Sequence, residues 1–359
     1  MTGQRTAISR AEAFCETYNL RVPILLAPMA GACPAGLSIA VANAGGMGSC
    51  GALLMSPDAI GRWVTGMRAG SNGAFQLNLW IAAPPAKRDR AREDAVRAFL
   101  GNWGPAVDAA AGDARQPDFD AQCAAMLEAG PAVISSIMGL YPPQYVSAMK
   151  LRGIKWFATA TTVGEAILAE QAGADAIIAQ GMEAGGHRGA FDAGQAEARM
   201  IGLFALLPAI VDAVKVPVIA AGGIADPRGV AAALILGASA VMIGTGFLRC
   251  PEANISNAWA DAIGRTRPED TLVTRAFSGR AGRAIANDYA RTAAQADAPE
   301  PAPYPVQRGL TAAMREAAVK DNNIAAMQAW AGQSAAMARA EPAGAVVHRL
   351  WQEAQVLLR

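Results

Sequence analysis

Pro217-Val-Ile-Ala-Ala-Gly222-Gly223-Ile224-Ala225-Asp226-Pro227, followed by Ala240-Val-Met-Ile-Gly244-Thr245-Gly246, is the stretch that decides the fold. Each apolar run reads as a strand that ends on glycine. Asp226 suits a helix N-cap and Pro227 the first helical position, so Arg228–Leu236 reads as the helix between the two strands. A strand, a helix and a second strand in so short a span describe a parallel βαβ unit. The same rhythm runs back through the chain. Further low-charge runs bounded by turn residues are Pro23–Ala27, Gly48–Leu53, Phe75–Leu79, Val133–Ile137, Trp156–Ala160 and Ala176–Ala179. Segments of helical periodicity separate them, among them Gly36–Asn43, Asp58–Arg68, Val163–Ala172 and Leu203–Val214. Strands without polar alternation are buried on both faces, and eight of them favour a closed barrel over an open sheet.

Two regions depart from one strand plus one helix. Trp80–Ala132 reads as an extended connection that could wall a pocket; it carries Pro84, Pro85 and the charged run Lys87–Glu93, taken as a solvated helix face. From Phe247 onward the alternation stops, and Ala-rich helical stretches surround a Pro-rich linker, Ala298–Val306, in which Tyr304 could reach a site. The expected organisation is a barrel over residues 1–246, a smaller helical insertion over 247–325, and a C-terminal segment, 326–359, whose helix packs back on the barrel.

Composition narrows the function. The 359 residues are 53% hydrophobic and 17% charged, enough apolar matter for a large core. A net charge of +1 without a basic block argues against nucleic-acid or membrane-surface partners. No apolar run is long enough to span a bilayer, and the N-terminal MTGQRTAISRAEAF lacks the apolar core of a secretory signal. Five cysteines without a Cys-x-x-C pair argue against disulfide scaffolds and zinc ribbons, and no metal site is expected. A soluble, cytoplasmic α/β protein is the expectation.

The glycines after the last two strands, Gly222-Gly223 and Gly244-Thr245-Gly246, stand where α/β barrels bind phosphate through backbone N–H groups. Gly46-Met-Gly48-Ser-Cys-Gly51 matches the dinucleotide fingerprint G-x-G-x-x-G, but it follows a helix, precedes a strand and has no acid about 20 residues on. It is a packing turn. Of the two histidines, His348 lies in the C-terminal helical stretch Ala345–Leu358 and reads as a surface or packing residue. His187 lies in Gln180-Gly-Met-Glu183-Ala-Gly185-Gly186-His187-Arg188-Gly189, directly after the sixth strand. That is the face where barrel active sites are built, and an imidazole of ordinary pKa near 6.5 is a natural base.

Taken together, Ala27-Pro28-Met29-Ala30-Gly31, Ala44–Gly48, Gln76-Leu-Asn78-Leu, the Gly-Gly-His187 loop, Gly222-Gly223-Ile and Ile-Gly244-Thr245 occur in the order of the nitronate monooxygenase family. The sequence resembles that family over nearly its whole length, through Ser278-Gly-Arg280-Ala-Gly-Arg283, Tyr304-Pro-Val-Gln307 and Trp330-Ala-Gly-Gln333. The resemblance implies an FMN-binding (β/α)8 TIM barrel with a smaller C-terminal helical domain. It implies a flavin site at Ala27, Pro28, Met29, Asn78, Gln180, Gly185, Gly186, Gly222, Gly223, Met242, Gly244 and Thr245, with Ala27–Met29 along the isoalloxazine. It also implies His187 as the base or the group that orients substrate. Two departures stand out: Met242 where many relatives have Gln, and Trp80 where Phe is usual.

The activity so implied is oxidation of alkyl nitronates, such as propionate 3-nitronate, by O2 to a carbonyl compound and nitrite. For an anionic substrate, Arg188 or a residue of Ser278–Arg283 is the candidate counter-charge, and Tyr304 is a candidate wall of the substrate pocket. The alternative on the same barrel is an NAD(P)H-dependent flavin reductase of the enoyl-acyl-carrier-protein or quinone type. A non-catalytic flavin-binding protein is the alternative of another class. A homodimer is compatible with either enzyme.

Overall fold

The computed structural model describes residues 6–113 and 115–359; Met1–Arg5, part of the N-terminal reading above, lie outside the described residues. Eight parallel strands form one sheet: β1 (Ile24–Leu26), β2 (Gly48–Gly51), β3 (Phe75–Trp80), β4 (Val133–Ile137), β5 (Lys155–Ala160), β6 (Ala176–Gln180), β8 (Val218–Ala221) and β9 (Ala240–Ile243). A two-residue strand, β7 (Gly186–His187), belongs to a second sheet. The barrel order is β1-β9-β8-β6-β5-β4-β3-β2. Its ends meet where Leu26 N–H donates to Met47 O at 2.9 Å and Met47 N–H donates to Ile24 O at 3.1 Å. The structure is the (β/α)8 barrel that the glycine-ended runs predict.

Period-two alternation divides the core into two layers. Trp156 and Ala158 of β5, with Val218 and Ala220 of β8, pack outward under the helices. Phe157, Ile219, Ala221, Ala240 and Met242 point into the barrel. The first helix, Ala7–Tyr18, is capped by the Thr6 side chain on Ser9 N–H. It closes the N-terminal end of the barrel, where the Tyr18 ring meets Phe157 edge-on at 5.0 Å. The G-x-G-x-x-G match falls on the turn from helix Ala35–Asn43 into β2, so no nucleotide loop forms there.

The long connection after β3 holds helices Arg90–Leu100 and Phe119–Ala129. The charged run there is not simply solvated. Glu93 is buried, because Arg88 grips its carboxylate through Nε and Nη2, each at 2.5 Å. Val96, Leu100 and Val107 of this connection join Phe277, Tyr289, Leu310, Met314 and Met327 in a second core beside the barrel. That region also contains strands the sequence reading lacks: β10 (Thr271–Thr274) and β11 (Gly282–Ile285) pair antiparallel. β11 pairs in turn with β7, Gly282 opposite His187 and Arg283 opposite Gly186. The last helix, Ala343–Leu357, packs against helices Pro227–Ile235 and Ala35–Asn43. Among the described residues no helix is long and apolar enough to cross a membrane.

Candidate active site

At the C-terminal ends of the strands lies a cavity of about 700 Å³ lined by seven barrel strands and by the loop after β1, within the size range of small-molecule sites. Residues brought to its wall include Ala27, Pro28 and Met29 after β1, and Asn78 and Trp80 at the end of β3. Opposite them stand Gln180, Gly185, Gly186 and His187, then Gly222, Gly223, Met242, Gly244 and Thr245. Tyr304 joins them from the Pro-rich segment.

One side of the cavity is almost bare backbone. Gly222 and Gly223 have φ of 107° and 69°, the left-handed region that favours glycine. A Cβ on Gly222 would stand 3.1 Å from Ala184 N. Glu183, absent from the sequence expectations, fixes this turn: its carboxylate accepts Leu203 N–H at 2.9 and 3.1 Å, at the N-terminus of helix Leu203–Ala213. At Gly185 a Cβ would lie 2.4 Å from Gly332 N, and Gly332 N–H donates to Thr245 Oγ1 at 3.0 Å. Backbone from the 330s is thus seated directly on the glycine turn. Gln180 lines the cavity, yet its amide serves the loop, donating to His187 O at 3.1 Å and accepting Gly189 N–H at 2.7 Å. Asn78 donates through Nδ2 to Ser135 Oγ at 3.0 Å.

The other side is made of side chains. His187 is held between two indoles, with Trp80 at 4.6 Å and Trp330 at 4.8 Å between ring centroids, both edge-on. Its Nε2 shares a hydrogen bond of 2.8 Å with Ser278 Oγ, and Nδ1 has no partner among the described residues. Burial, then the nearby charges of Arg280 and Arg308, push the imidazole pKa down to about 3. An ordinary value near 6.5 therefore does not hold; at neutral pH this ring is uncharged and a weak proton acceptor. Tyr304 stacks obliquely on Trp80 at 5.3 Å and donates its hydroxyl to Gln116 Oε1 at 2.8 Å. The Arg280 guanidinium lies over Trp80 and Tyr304, 5.9 and 5.7 Å from the ring centres.

Arg188 is the one expected pocket residue that the cavity wall lacks. Neighbours along extended backbone point to opposite faces, so with His187 toward the cavity Arg188 turns away. Its guanidinium is buried and donates to the carbonyls of Gln180 at 2.6 Å, Thr161 at 3.4 Å and Arg199 at 3.4 Å. It ties the loop down and is no counter-charge for a ligand. Trp330, Arg308, Arg315 and Lys320 line the cavity without having been singled out as lining it. The Trp330-Ala-Gly-Gln333 motif marked the first; nothing local marked the cations.

Three comparisons bear on this arrangement. The nitronate monooxygenase family model matches residues 12–353. A nitronate monooxygenase of Paraburkholderia phytofirmans is 38% identical over 337 residues, covering 92% of each chain. Among solved structures, nitroalkane oxidase from Streptomyces ansochromogenes superposes with a TM-score of 0.87 at 33% identity, covering 97% of this chain and 100% of that one. FabK from Thermotoga maritima superposes with a TM-score of 0.76 at 27% identity, covering 99% and 98%. With the family model spanning nearly the whole barrel and its cover, the chain belongs to the nitronate monooxygenase family.

Proposed function

We propose that this protein binds FMN and oxidises alkyl nitronates, propionate 3-nitronate among them, with O2 to a carbonyl compound and nitrite. The observation that carries this reading is His187. It is an uncharged imidazole clamped by Trp80 and Trp330, with Nδ1 open and the Arg280 guanidinium, behind the cavity wall, close enough for its charge to act on the ring. Such a site suits an anion that has already lost its carbon-bound proton better than a neutral nitroalkane. The residues present fit the cofactor. Gly222, Gly223, Gly244 and Thr245 form a turn region whose glycine at 222 has no room for a Cβ against Gly181 and Ala184, and they would hold its phosphate through backbone N–H groups. Ala27–Met29, Asn78, Gln180 and Met242 would flank its ring, with Gly185 and Gly186 giving close access. When bound, the flavin would supply the redox chemistry between nitronate and O2. His187 orients the anion by hydrogen bonding from a position that Ser278 fixes. The two indoles exclude water around it, and Tyr304 closes the wall beside Trp80. The same reading keeps the division into a barrel (1–246), a cover (247–325) and a returning C-terminal segment (326–359).

The test is anaerobic mixing of the yellow holoenzyme with propionate 3-nitronate or with NADH, followed by flavin absorbance. Bleaching by the nitronate and none by NADH is expected, with nitrite released when O2 is admitted. Bleaching by NADH alone would make the protein a flavin reductase. A flavin that neither reagent reduces would make it a binding protein.

A further inference from the structure

Three cations line the cavity, Arg308, Arg315 and Lys320. Arg315 is occupied: it donates to Thr311 Oγ1 at 3.1 Å, Gln328 Oε1 at 3.2 Å and Arg308 O at 3.0 Å. Lys320 is exposed at the rim, where solvent serves it. Arg308, on the short helix Val306–Leu310, has neither advantage. It is partly buried, its guanidinium makes no hydrogen bond, and it has no carboxylate within ion-pair distance among the described residues. This is unlike other partly or fully buried arginines of the fold. Arg188 holds three carbonyls, Arg283 holds Met182 O and Thr271 Oγ1, and Arg88 holds Glu93. Arg280 also lacks a carboxylate, but two aromatic rings and Met138 Sδ at 2.8 Å occupy it, and it is not part of the cavity wall.

The acids of the wall do not answer Arg308. Glu183 is bound to Leu203 N–H, and Glu316 is exposed. A guanidinium partly withdrawn from water without a counter-charge costs free energy that an incoming anion would recover. Arg308 and His187 line the same cavity, and the charge of Arg308 acts on the ring. One ligand can therefore present its reacting group to His187 and a second anionic group to Arg308.

We infer that Arg308 is the specificity-determining anchor for a carboxylate on the substrate, so that the site selects nitronates bearing a carboxylate over alkyl nitronates of similar length. This rests on the nitronate reading above and replaces Arg188 with a residue that has free donors. Planar guanidinium and carboxylate pair through two parallel hydrogen bonds, and a lysine gives the charge without the fork.

The experiment compares holoenzyme with Arg308→Gln and Arg308→Lys, using propionate 3-nitronate and the nitronate of 1-nitrobutane, each assayed before it reprotonates. Arg308→Gln is expected to lower kcat/KM on the propionate by about 10²-fold, mostly through KM, and on the butyl compound by no more than about threefold. Arg308→Lys should recover part of the loss, and added salt should weaken the wild-type preference. Flavin content and Tm should match wild type, separating lost recognition from lost fold. Equal losses on both substrates would place Arg308 against the nitronate group and overturn the assignment while leaving the activity intact; so would no loss on either. A wild-type enzyme that turns over neither nitronate overturns the nitronate reading and the anchor with it.

Discussion

The two sides of the cavity are built by opposite means. On the barrel side, Gly222, Gly223 and Gly185 present backbone, and the site is shaped by what is missing from it. On the cover side, Tyr304, Trp330 and Arg308 present side chains against Trp80 of β3, and the site is shaped by what reaches in. Backbone can bind a group common to many ligands, since an N–H differs little from one residue to the next. Side chains can discriminate. In the proposed reading the barrel side takes the invariant cofactor phosphate and the cover side the substrate.

The comparison breaks first at Gly222. Gly222→Val puts a β-branched residue at a φ of 107° and drives its Cβ toward Ala184 N. Strain and lost close approach should weaken flavin binding by about 10²-fold or more. Flavin fluorescence after gel filtration measures it, and full retention would remove phosphate from this turn.

Next in size is Arg188→Met, which removes buried hydrogen bonds to three carbonyls. A loss of about 2–4 kcal/mol in unfolding free energy is expected from denaturant titration. The ratio of kcat/KM between the carboxylate-bearing and alkyl nitronates should stay within about twofold of wild type. A shifted ratio would return Arg188 to the substrate.

His187→Asn is smaller, because Asn keeps hydrogen bonding and the wild-type ring is already neutral. The loss on pre-formed nitronates should be about tenfold. With a pKa of about 3, His187 is deprotonated throughout the neutral range. The wild-type kcat/KM on a nitronate should then be flat across the ordinary His range near 6.5. A break there that disappears in His187→Asn would show the imidazole titrating in its ordinary range. Least affected should be the Cys33→Ala, Cys50→Ala double variant. Both thiols are buried, and burial pushes Cys33 up to about 12 and Cys50 well above its ordinary value, so neither is a nucleophile at neutral pH. Turnover within about threefold of wild type is expected; complete loss with flavin retained would reveal thiol chemistry.

The same contrast explains what could be read from the chain before folding. Barrel strands buried on both faces are low-charge runs, and the last two lead straight into glycine turns. Val133–Ile137 and Ala240–Ile243 therefore stand in the structure with the boundaries read from sequence. The cover carries no such periodicity. β10 and β11 are four residues each, too short for alternation to register, and the helix of Arg308 has five. Ser278 meets His187 across 91 residues, a contact that no local pattern encodes. Arg188 misled because adjacency in sequence looks like adjacency in space, whereas an extended backbone sends successive side chains apart.

His187 is itself part of a strand, and that strand is stitched to the cover: β7 pairs with β11, and Arg188 N–H donates to Ala281 O at 2.9 Å. The covering sheet cannot lift without pulling on the histidine it covers. An opening wide enough to release a cofactor would also unmake the geometry of the ring, so escape of the prosthetic group and failure of the site become a single mechanical event. The slow clock for both would be the unzipping of this narrow ribbon, readable as amide hydrogen exchange at Arg188 keeping pace with loss of colour.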